Sequence, residues 1–548
     1  MSVQKKTFLS LWQWLLAESP EKLLYRVPSP QTSQVLPYRV SAFVKRSSRI
    51  ANVFQNTLKI KARERLAVLG TLPNDYILIL HGAWMVGVVP VIIPDDLNEA
   101  EMIKILKETN STGVVFPPEM SARIASLIGR LPKIRHWIAT GAASYNAGVG
   151  SVHRLDDLAI GADSDLPRVN ISEDADAVIV FTRGFSKGRQ GILFSQKALI
   201  EAGKAFASVY PDDSSTESLC WCGLSIRSFD GMVHSCLAPL FNDLVSYLAS
   251  EVDLRRFWEF VYADDMKLAI LDQEQMRVIH RKGKPRAWLK PEDFKILLHS
   301  ASPLTMTLVA SFEDRFLTPV FPCYSITEAG GIMTAMPKDS TQEYRYEWTA
   351  EFDIPSSGVP LADIDLRICS YTGNDLDQEL LGEIRVKSAR AMKDYIAGPN
   401  QTVKVDQEGY IQTGDEAYWI EGADQEKHIF VAGRTSDIIE RNKERIYPAR
   451  VNNALLDIRG IEYSVVLGFP NLSTGNEVGV FVIPLRASQL TEERVMAELR
   501  VALDWEECPK VVIFGSRKGD GSLPSRPEIE KLFLDYFDID YSLGRYSN

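Results

Sequence analysis

Hydrophobic positions along this chain gather into short runs separated by polar, helix-compatible stretches. The runs RLAVLG (65–70), VVPVII (88–93), TGVVFP (112–117), AVIVF (177–181), KLAIL (267–271) and KILLHSA (295–301) have the length and β-branched content of strands buried on both faces. Residues 100–108 and 196–209 lie between such runs and read as helices. Alternation of this kind predicts an α/β fold with largely parallel sheets. After about Trp348 the rhythm changes to short strands and turns, IDLRICSYTGND, GEIRVKS, GYIQTGD and KHIFVAGR, which predicts a β-rich subdomain over about 348–433. From Asp437 it changes again. Helices over 448–456 and 491–503 flank YSVVLGFP and EVGVFVIPL, the pattern of a small α+β C-terminal domain. A chain of 548 residues exceeds what one hydrophobic core organises, and the expected division is 1–433 and 434–548. No repeat, low-complexity tract or long linker interrupts it.

Two apolar regions bear on membranes. In KKTFLSLWQWLLA (5–17) Gln13 breaks the run, and Phe8, Leu9, Trp12, Leu15 and Leu16 share one helical face, which favours an amphipathic helix over a cleaved signal. Residues 65–94 are apolar but broken by Asn74, Asp75 and His81, short of the roughly 18 uninterrupted residues of a span; no membrane span is expected. Composition adds little: 45% hydrophobic and 24% charged residues are ordinary for a soluble globular protein. A formal net charge of −11 gives no footprint for nucleic acid. Six cysteines are scattered, and Cys220-Trp221-Cys222 lacks the second Cys/His pair of a tetrahedral site. They read as reduced thiols of a cytoplasmic protein.

The chemistry is concentrated in three segments: PCYSITE (322–328), YIQTGD (410–415) and GRTSDIIERNKERIYP (433–448). In order and spacing they resemble the YGxTE, YxTGD and GRxxDxIKxxGxRIxP segments of the adenylate-forming enzymes: acyl- and aryl-CoA synthetases, fatty acyl-AMP ligases, peptide-synthetase adenylation domains and luciferases. The stretches Ser357-Gly358-Val359-Pro360 and Gly382-Glu383-Ile384 match weaker structural parts of the same family. The resemblance spans about residues 10–535. It implies a large N-terminal domain with two α/β sheets, a small mobile C-terminal domain, and a hinge at Asp437. It also implies ATP and Mg²⁺, a small-molecule carboxylic acid, and CoA or a phosphopantetheine thiol, such as that of a carrier protein, as acceptor.

Residue by residue, the resemblance makes Glu328 the Mg²⁺ ligand and a catalytic group, a hard oxygen donor suited to that ion. Tyr324 would lie along the adenine, with Thr327 in the nucleotide-binding set. Asp415 would accept hydrogen bonds from the ribose hydroxyls, the charge-assisted kind, and Arg434 would add a ribose or phosphate contact through its fixed fork of donors. Phe229 and Gly231, with Ser300 and Ala301 of HSASPL, correspond to the family's acyl-pocket stretches.

Other parts are rewritten. FTRGFSKGRQGI (181–192) stands where the family has its phosphate loop, [YF]TSGTTGxPKGV, in which small residues let backbone N–H groups approach phosphate. Thr182, Gly184, Ser186 and Gly191 remain. Lys187 replaces a glycine and Gln190 replaces the lysine, while Arg183, Lys187 and Arg189 bring three positive charges. Two readings stand. Either the loop keeps its phosphate role through these displaced cations, with Thr182, Gly184, Ser186, Lys187 and Gly191 in the nucleotide-binding set, or a lysine where only glycine is conformationally free impairs phosphate handling. The second is favoured. At the C-terminus the family's catalytic lysine position carries Ser522, with Lys518 nearby as a substitute. Lys443 replaces a glycine beside the expected pantetheine tunnel.

Three functions follow. The first is an acid–thiol or acid–amine ligase working through acyl-AMP. The second is a non-catalytic relative that binds nucleotide or acyl group as scaffold or sensor. The third is a consumer of preformed acyl-AMP. His234 and His299 read as core or pocket-wall histidines rather than bases.

Overall fold

The computed structural model describes residues 6–29, 34–95, 97–141, 152–182, 189–211, 217–249, 252, 254–283, 293–300, 306–350, 354–397, 404–471, 473–486, 488–518, 523–524, 526–536, 539–540 and 545–546. Gly184, Ser186, Lys187 and Ala301 lie outside them, as does Ser522.

Two large sheets dominate. The eight-stranded one runs, edge to edge, Asp394–Ala397, Gly191–Ser195, Asp176–Phe181, Val89–Ile92, Arg65–Val68, Gly113–Phe116, His136–Ala139, Val152–Arg154. It is parallel from Asp176–Phe181 onward and antiparallel at the first two pairings. The nine-stranded one runs Val359–Pro360, Gly331–Ala335, Val320–Ile326, Lys295–Ser300, Met266–Asp272, Leu219–Cys222, Val245–Tyr247, Leu23–Pro28, Val35–Arg39. Its middle is parallel and both ends are antiparallel. The strands 359–360 and 394–397 therefore complete the large sheets from within the stretch expected to be a separate subdomain.

One core joins the two sheets. Leu66, Val68, Ile92 and Val115 from the first and Leu268, Ile270, Leu297 and Phe321 from the second belong to a single buried cluster. The helices Pro73–Met85 and Gln196–Ser208 contribute Trp84, Leu199 and Phe206 to it. The N-terminal helix Phe8–Glu18, capped by Thr7, buries Phe8, Leu9, Leu11, Trp12 and Leu15. Phe8 stacks on Trp84 at 4.3 Å. Among the described residues no helix is long and apolar enough to cross a membrane, and no cluster of three or more His, Cys, Asp or Glu side chains is arranged for a metal.

A third, antiparallel sheet is built from Ile364–Cys369, Gly382–Ser388, Ile411–Glu421, Lys404–Val405 and Lys427–Arg434. A fourth contains Ile439–Arg441, Glu444–Ile446, Ile461–Asn471, Gly475–Pro484 and Val511–Phe514, covered by the helices Pro448–Asp457, Glu492–Ala502 and Arg526–Tyr536. Its first hairpin turns on Asn442 (φ 53°) and Lys443 (φ 69°). Two consecutive left-handed residues make the turn that matches strand twist, and a lysine there carries strain of about 1–2 kcal/mol. Lys443 also lines an open cavity of about 560 Å³ with Asn442, Ser473 and Asn476. Lys443→Gly is expected to stabilise the protein by about 1 kcal/mol, read as a higher urea midpoint. A lower midpoint would show that the lysine side chain contributes more than its backbone costs.

Candidate active site

The site is assembled where the C-terminal end of one strand of the nine-stranded sheet meets the paired strands Ile411–Glu421 and Lys427–Arg434. Strand Val320–Ile326 ends in a single 3₁₀ turn, Thr327–Ala329, and the chain reverses into Gly331–Ala335. Gly330 (φ 90°) and Gly331 (φ 95°) permit the reversal. A Cβ on Gly331 would lie 2.3 Å from Phe206, so the turn also demands close approach. This geometry leaves Glu328 buried at 8% exposure. Its Oε1 accepts a hydrogen bond from the Tyr395 phenol at 3.2 Å, and its backbone carbonyl accepts from Met392 N at 2.9 Å. Burial pushes the Glu328 carboxyl above its ordinary value, opposed by hydrogen bonds and by the Arg434 charge.

Asp415 sits within the long strand Ile411–Glu421, directly opposite Arg434 on Lys427–Arg434. It follows Gly414 (φ 71°), where the pairing of this strand with Gly382–Ser388 shifts register. Its Oδ1 faces Arg434 Nε at 3.3 Å, and Oδ2 accepts from the Tyr324 phenol at 2.7 Å. Burial raises its carboxyl and Arg434 pulls it back; in turn Asp415 raises the Arg434 guanidinium. Glu328, Asp415 and Arg434 each act electrostatically on the others. Tyr324, Glu328, Asp415 and Arg434 thus form one constellation. Thr327 lies in the same turn as Glu328.

The described ends of the 181–192 loop meet it. Thr182 N donates to Gln190 O at 3.0 Å, and Gln190 N donates to Thr182 Oγ1 at 3.3 Å, closing the loop's base. Gly191 pairs with Phe181 on one side and Ala397 on the other. Tyr395, whose phenol reaches Glu328, is in that neighbouring strand opposite Ile192. The loop base and the acidic turn are therefore linked through Tyr395, which lies outside the three motif segments. Gln190 is buried and its Nε2 has no hydrogen-bond partner among the described residues.

On the acyl side the picture is mixed. Phe229 begins a short helix, Phe229–Met232, and stacks on Phe194 at 4.5 Å, inside the core. A Cβ on Gly231 would meet Ser225 O at 2.0 Å, so this glycine is fixed by backbone contact. Between them Asp230 accepts from Ser325 Oγ at 2.7 Å, next to Tyr324. Ser300 ends the strand Lys295–Ser300. Behind lies a buried chain, in which the Tyr210 phenol meets His234 Nδ1 at 2.6 Å and His234 Nε2 meets His299 Nε2 at 2.7 Å. Burial lowers both imidazoles, so they are neutral at pH 7. With both rings neutral, one Nε2 donates to the other, and the tautomers set the direction along the chain. The pair serves as a bonded wall.

Lys518 is not brought to this constellation. Its Nζ pairs with Glu528 at 2.8 Å, and among the described residues it contacts none of Glu328, Asp415 and Arg434.

A single hard carboxylate with phosphate oxygens is how Mg²⁺ is commonly held, and Glu328 beside the loop base fits that donor set. The chain is 25% identical to the feruloyl-CoA synthase of Amycolatopsis sp. over 484 residues, 86% of this chain and 89% of the relative. It also superposes on the anthranilate CoA ligase AuaEII in complex with anthranoyl-AMP, with TM-score 0.80 at 14% identity, covering 96% of this chain and 98% of that one. The o-succinylbenzoate CoA synthetase MenE of Bacillus subtilis, in complex with ATP and magnesium ion, matches with TM-score 0.76 at 16% identity over 95% of this chain and 99% of that one. The sequence pattern described as AMP-binding enzyme matches residues 38–396. With the three motif segments, the Glu328–Asp415–Arg434 constellation and the two-sheet fold in agreement, this chain belongs to the AMP-binding enzyme family, a member of the adenylate-forming superfamily.

Proposed function

We propose that the protein activates a small-molecule carboxylic acid with ATP and passes the acyl group to a thiol, CoA or a carrier-protein phosphopantetheine, or to an amine. The observation that carries this reading is the convergence of Glu328, Tyr324, Asp415 and Arg434 on the base of the 181–192 loop. Asp415 would hold the ribose, Tyr324 would lie along the adenine, and Arg434 would reach ribose or phosphate. A carboxylate oxygen of the acid attacks the α-phosphorus as the bond to pyrophosphate breaks; the acceptor then attacks the acyl carbon and AMP leaves. Mg²⁺ bound at Glu328 would offset phosphate charge.

The division into 1–433 and 434–548, turning near Asp437, belongs to the same proposal. Asp437 is tied to Arg526 at 3.4 Å, and Thr435 N to Gly414 O at 2.9 Å. A second reading, nucleotide binding without turnover, draws support from Gln190 at the lysine position and from the Lys518–Glu528 pair.

Calorimetric titration with Mg·ATP tests the proposal. Binding is expected, and Glu328→Gln and Asp415→Asn are each expected to weaken it about tenfold, the worth of one charge-assisted contact. Because burial raises the Glu328 carboxyl above 4.5, Mg²⁺-dependent binding should weaken on acidification already above that value. Pyrophosphate exchange with a panel of acids then separates the two readings. Absence of heat at millimolar Mg·ATP would refute both, and acyl-AMP analogues would be the next ligands.

A further inference from the structure

We infer that Arg390 is a positioning residue for Glu328, holding the acidic turn from behind in the geometry a metal–phosphate complex requires. This rests on the proposed function, since it gives Glu328 a ligand to hold.

Arg390 is fully buried, among the largest side chains with no exposure. A guanidinium in the interior is costly unless its donors are matched, and here they are shared between the turn after Glu328 and the Asp363 carboxylate. Nη1 donates to Gly330 O at 3.2 Å and to Ile332 O at 2.9 Å, the carbonyls flanking the reversal after Glu328. Nε and Nη2 donate to Asp363 Oδ2 and Oδ1 at 2.7 and 3.1 Å, the forked pairing that fixes a guanidinium plane. The fit is close: a Cβ on Gly330 would lie 2.4 Å from Arg390 Cβ.

The same segment holds the rest of the turn. Met392 N donates to Glu328 O, and the Tyr395 phenol donates to Glu328 Oε1. Lys393 N donates to Leu193 O at 2.8 Å in the strand that leaves the 181–192 loop, and Lys393 Nζ meets Asp176 Oδ1 at 2.6 Å. Residues 390–395 therefore connect the acidic turn to the loop base. Arg390 fixes the backbone on which Glu328 stands, and Tyr395 fixes the carboxylate. Groups that orient a metal ligand without touching the metal commonly change metal affinity by about 10–100-fold when replaced.

The test uses the whole chain with Arg390→Lys, which keeps the charge but loses the fork, and Asp363→Asn, which weakens the fork from the other side. Calorimetry with Mg·ATP is run at several Mg²⁺ concentrations, with metal-free AMP as the second probe. For both variants the Mg²⁺ concentration giving half of the ATP binding should rise about tenfold, while AMP affinity is unchanged because Asp415, Tyr324 and Arg434 are untouched. Equal weakening of AMP and Mg·ATP would mark Arg390 as a general structural staple and overturn the inference, as would no change in either. Amide hydrogen exchange of apoprotein peptides spanning 327–333 supplies a readout independent of nucleotide. It should accelerate in Arg390→Lys relative to peptides in 461–484. If the wild type binds AMP but no Mg·ATP, the proposed function fails, and the exchange result still decides whether Arg390 restrains the turn.

Discussion

Arg345→Ala is expected to lower the unfolding free energy by about 3–5 kcal/mol, the cost of leaving one member of a buried ion pair alone. Arg345, on helix Gln342–Ala350, and Glu313, on helix Met306–Phe316, are both almost completely buried. The guanidinium donates to Glu313 Oε1 through Nε at 3.2 Å and Nη2 at 3.0 Å, and lies 4.8 Å from the centre of the Phe321 ring. The same Oε1 accepts from Val320 N at 2.6 Å, so the pair anchors the first residue of the strand that ends beside Glu328. Burial raises the Glu313 carboxyl, and Val320 and Arg345 draw it back; without Arg345 it rises further. A carboxyl raised in the folded state contributes stability below its unfolded pKa and loses it as pH climbs through the folded pKa. The variant's deficit should therefore be largest at neutral pH and shrink as pH falls toward the ordinary glutamate value of 4.5. Urea denaturation at pH 7 and pH 5 measures it, and a loss below about 1 kcal/mol at neutral pH would show that the helices repack around the gap.

Sequence periodicity located the parallel strands because each is buried on both faces and short. The runs at 65–70, 88–93, 112–117, 177–181, 267–271 and 295–301 all contain strands of the two large sheets. It did not show that 359–360 and 394–397 cross back to complete those sheets, since edge pairing after a long excursion leaves no periodic signal. In the site, Tyr324, Glu328, Asp415 and Arg434 were legible because they lie in contiguous motif segments. Arg390 and Tyr395 were not, because their roles arise from contacts with residues about 60 positions away. The sequence likewise gave no warning that Phe229 would turn into the core against Phe194 and leave Asp230 facing Ser325. A one-residue offset on a short helix decides which side chain faces the site, and only packing resolves it. Lys518 is the converse case: proximity along the chain suggested a substitute cation, and an ion pair with Glu528 takes its charge.

Glu416→Ala is expected to loosen the C-terminal sheet from the rest of the molecule, at a cost of about 3 kcal/mol. Glu416 follows Asp415 on the same strand, where successive side chains point to opposite faces. Asp415 turns to Tyr324 and Arg434, and Glu416 turns to the C-terminal sheet. Its carboxylate is fully buried and accepts from Arg445 Nη2 at 2.5 Å, from Tyr447 at 2.9 Å and from the Tyr371 phenol. Arg445 and Tyr447 lie beyond residues 435–437, whereas Tyr371 and Glu416 lie before them, so a turn about Asp437 must break the bonds from Arg445 and Tyr447 and can leave that from Tyr371 in place. Burial opposes ionisation of Glu416, but the donors from Arg445, Tyr371 and Tyr447 outweigh it and hold the carboxyl below its ordinary 4.5. A depressed carboxyl contributes stability above its unfolded pKa and loses it as pH falls through the folded one, so the latch should hold at neutral pH and fail only in acid. Small-angle scattering should show a larger radius of gyration for Glu416→Ala, with faster proteolysis between 433 and 441. Tyr447→Phe, which removes one of the donors, should cost about 1 kcal/mol and leave the scattering unchanged. Unaltered scattering and proteolysis in Glu416→Ala would mean that the apolar contacts of the C-terminal sheet, not this carboxylate, set its position. The arrangement puts the nucleotide-facing Asp415 and the latch on adjacent residues, so a ligand that shifts Asp415 acts on the strand that carries the latch.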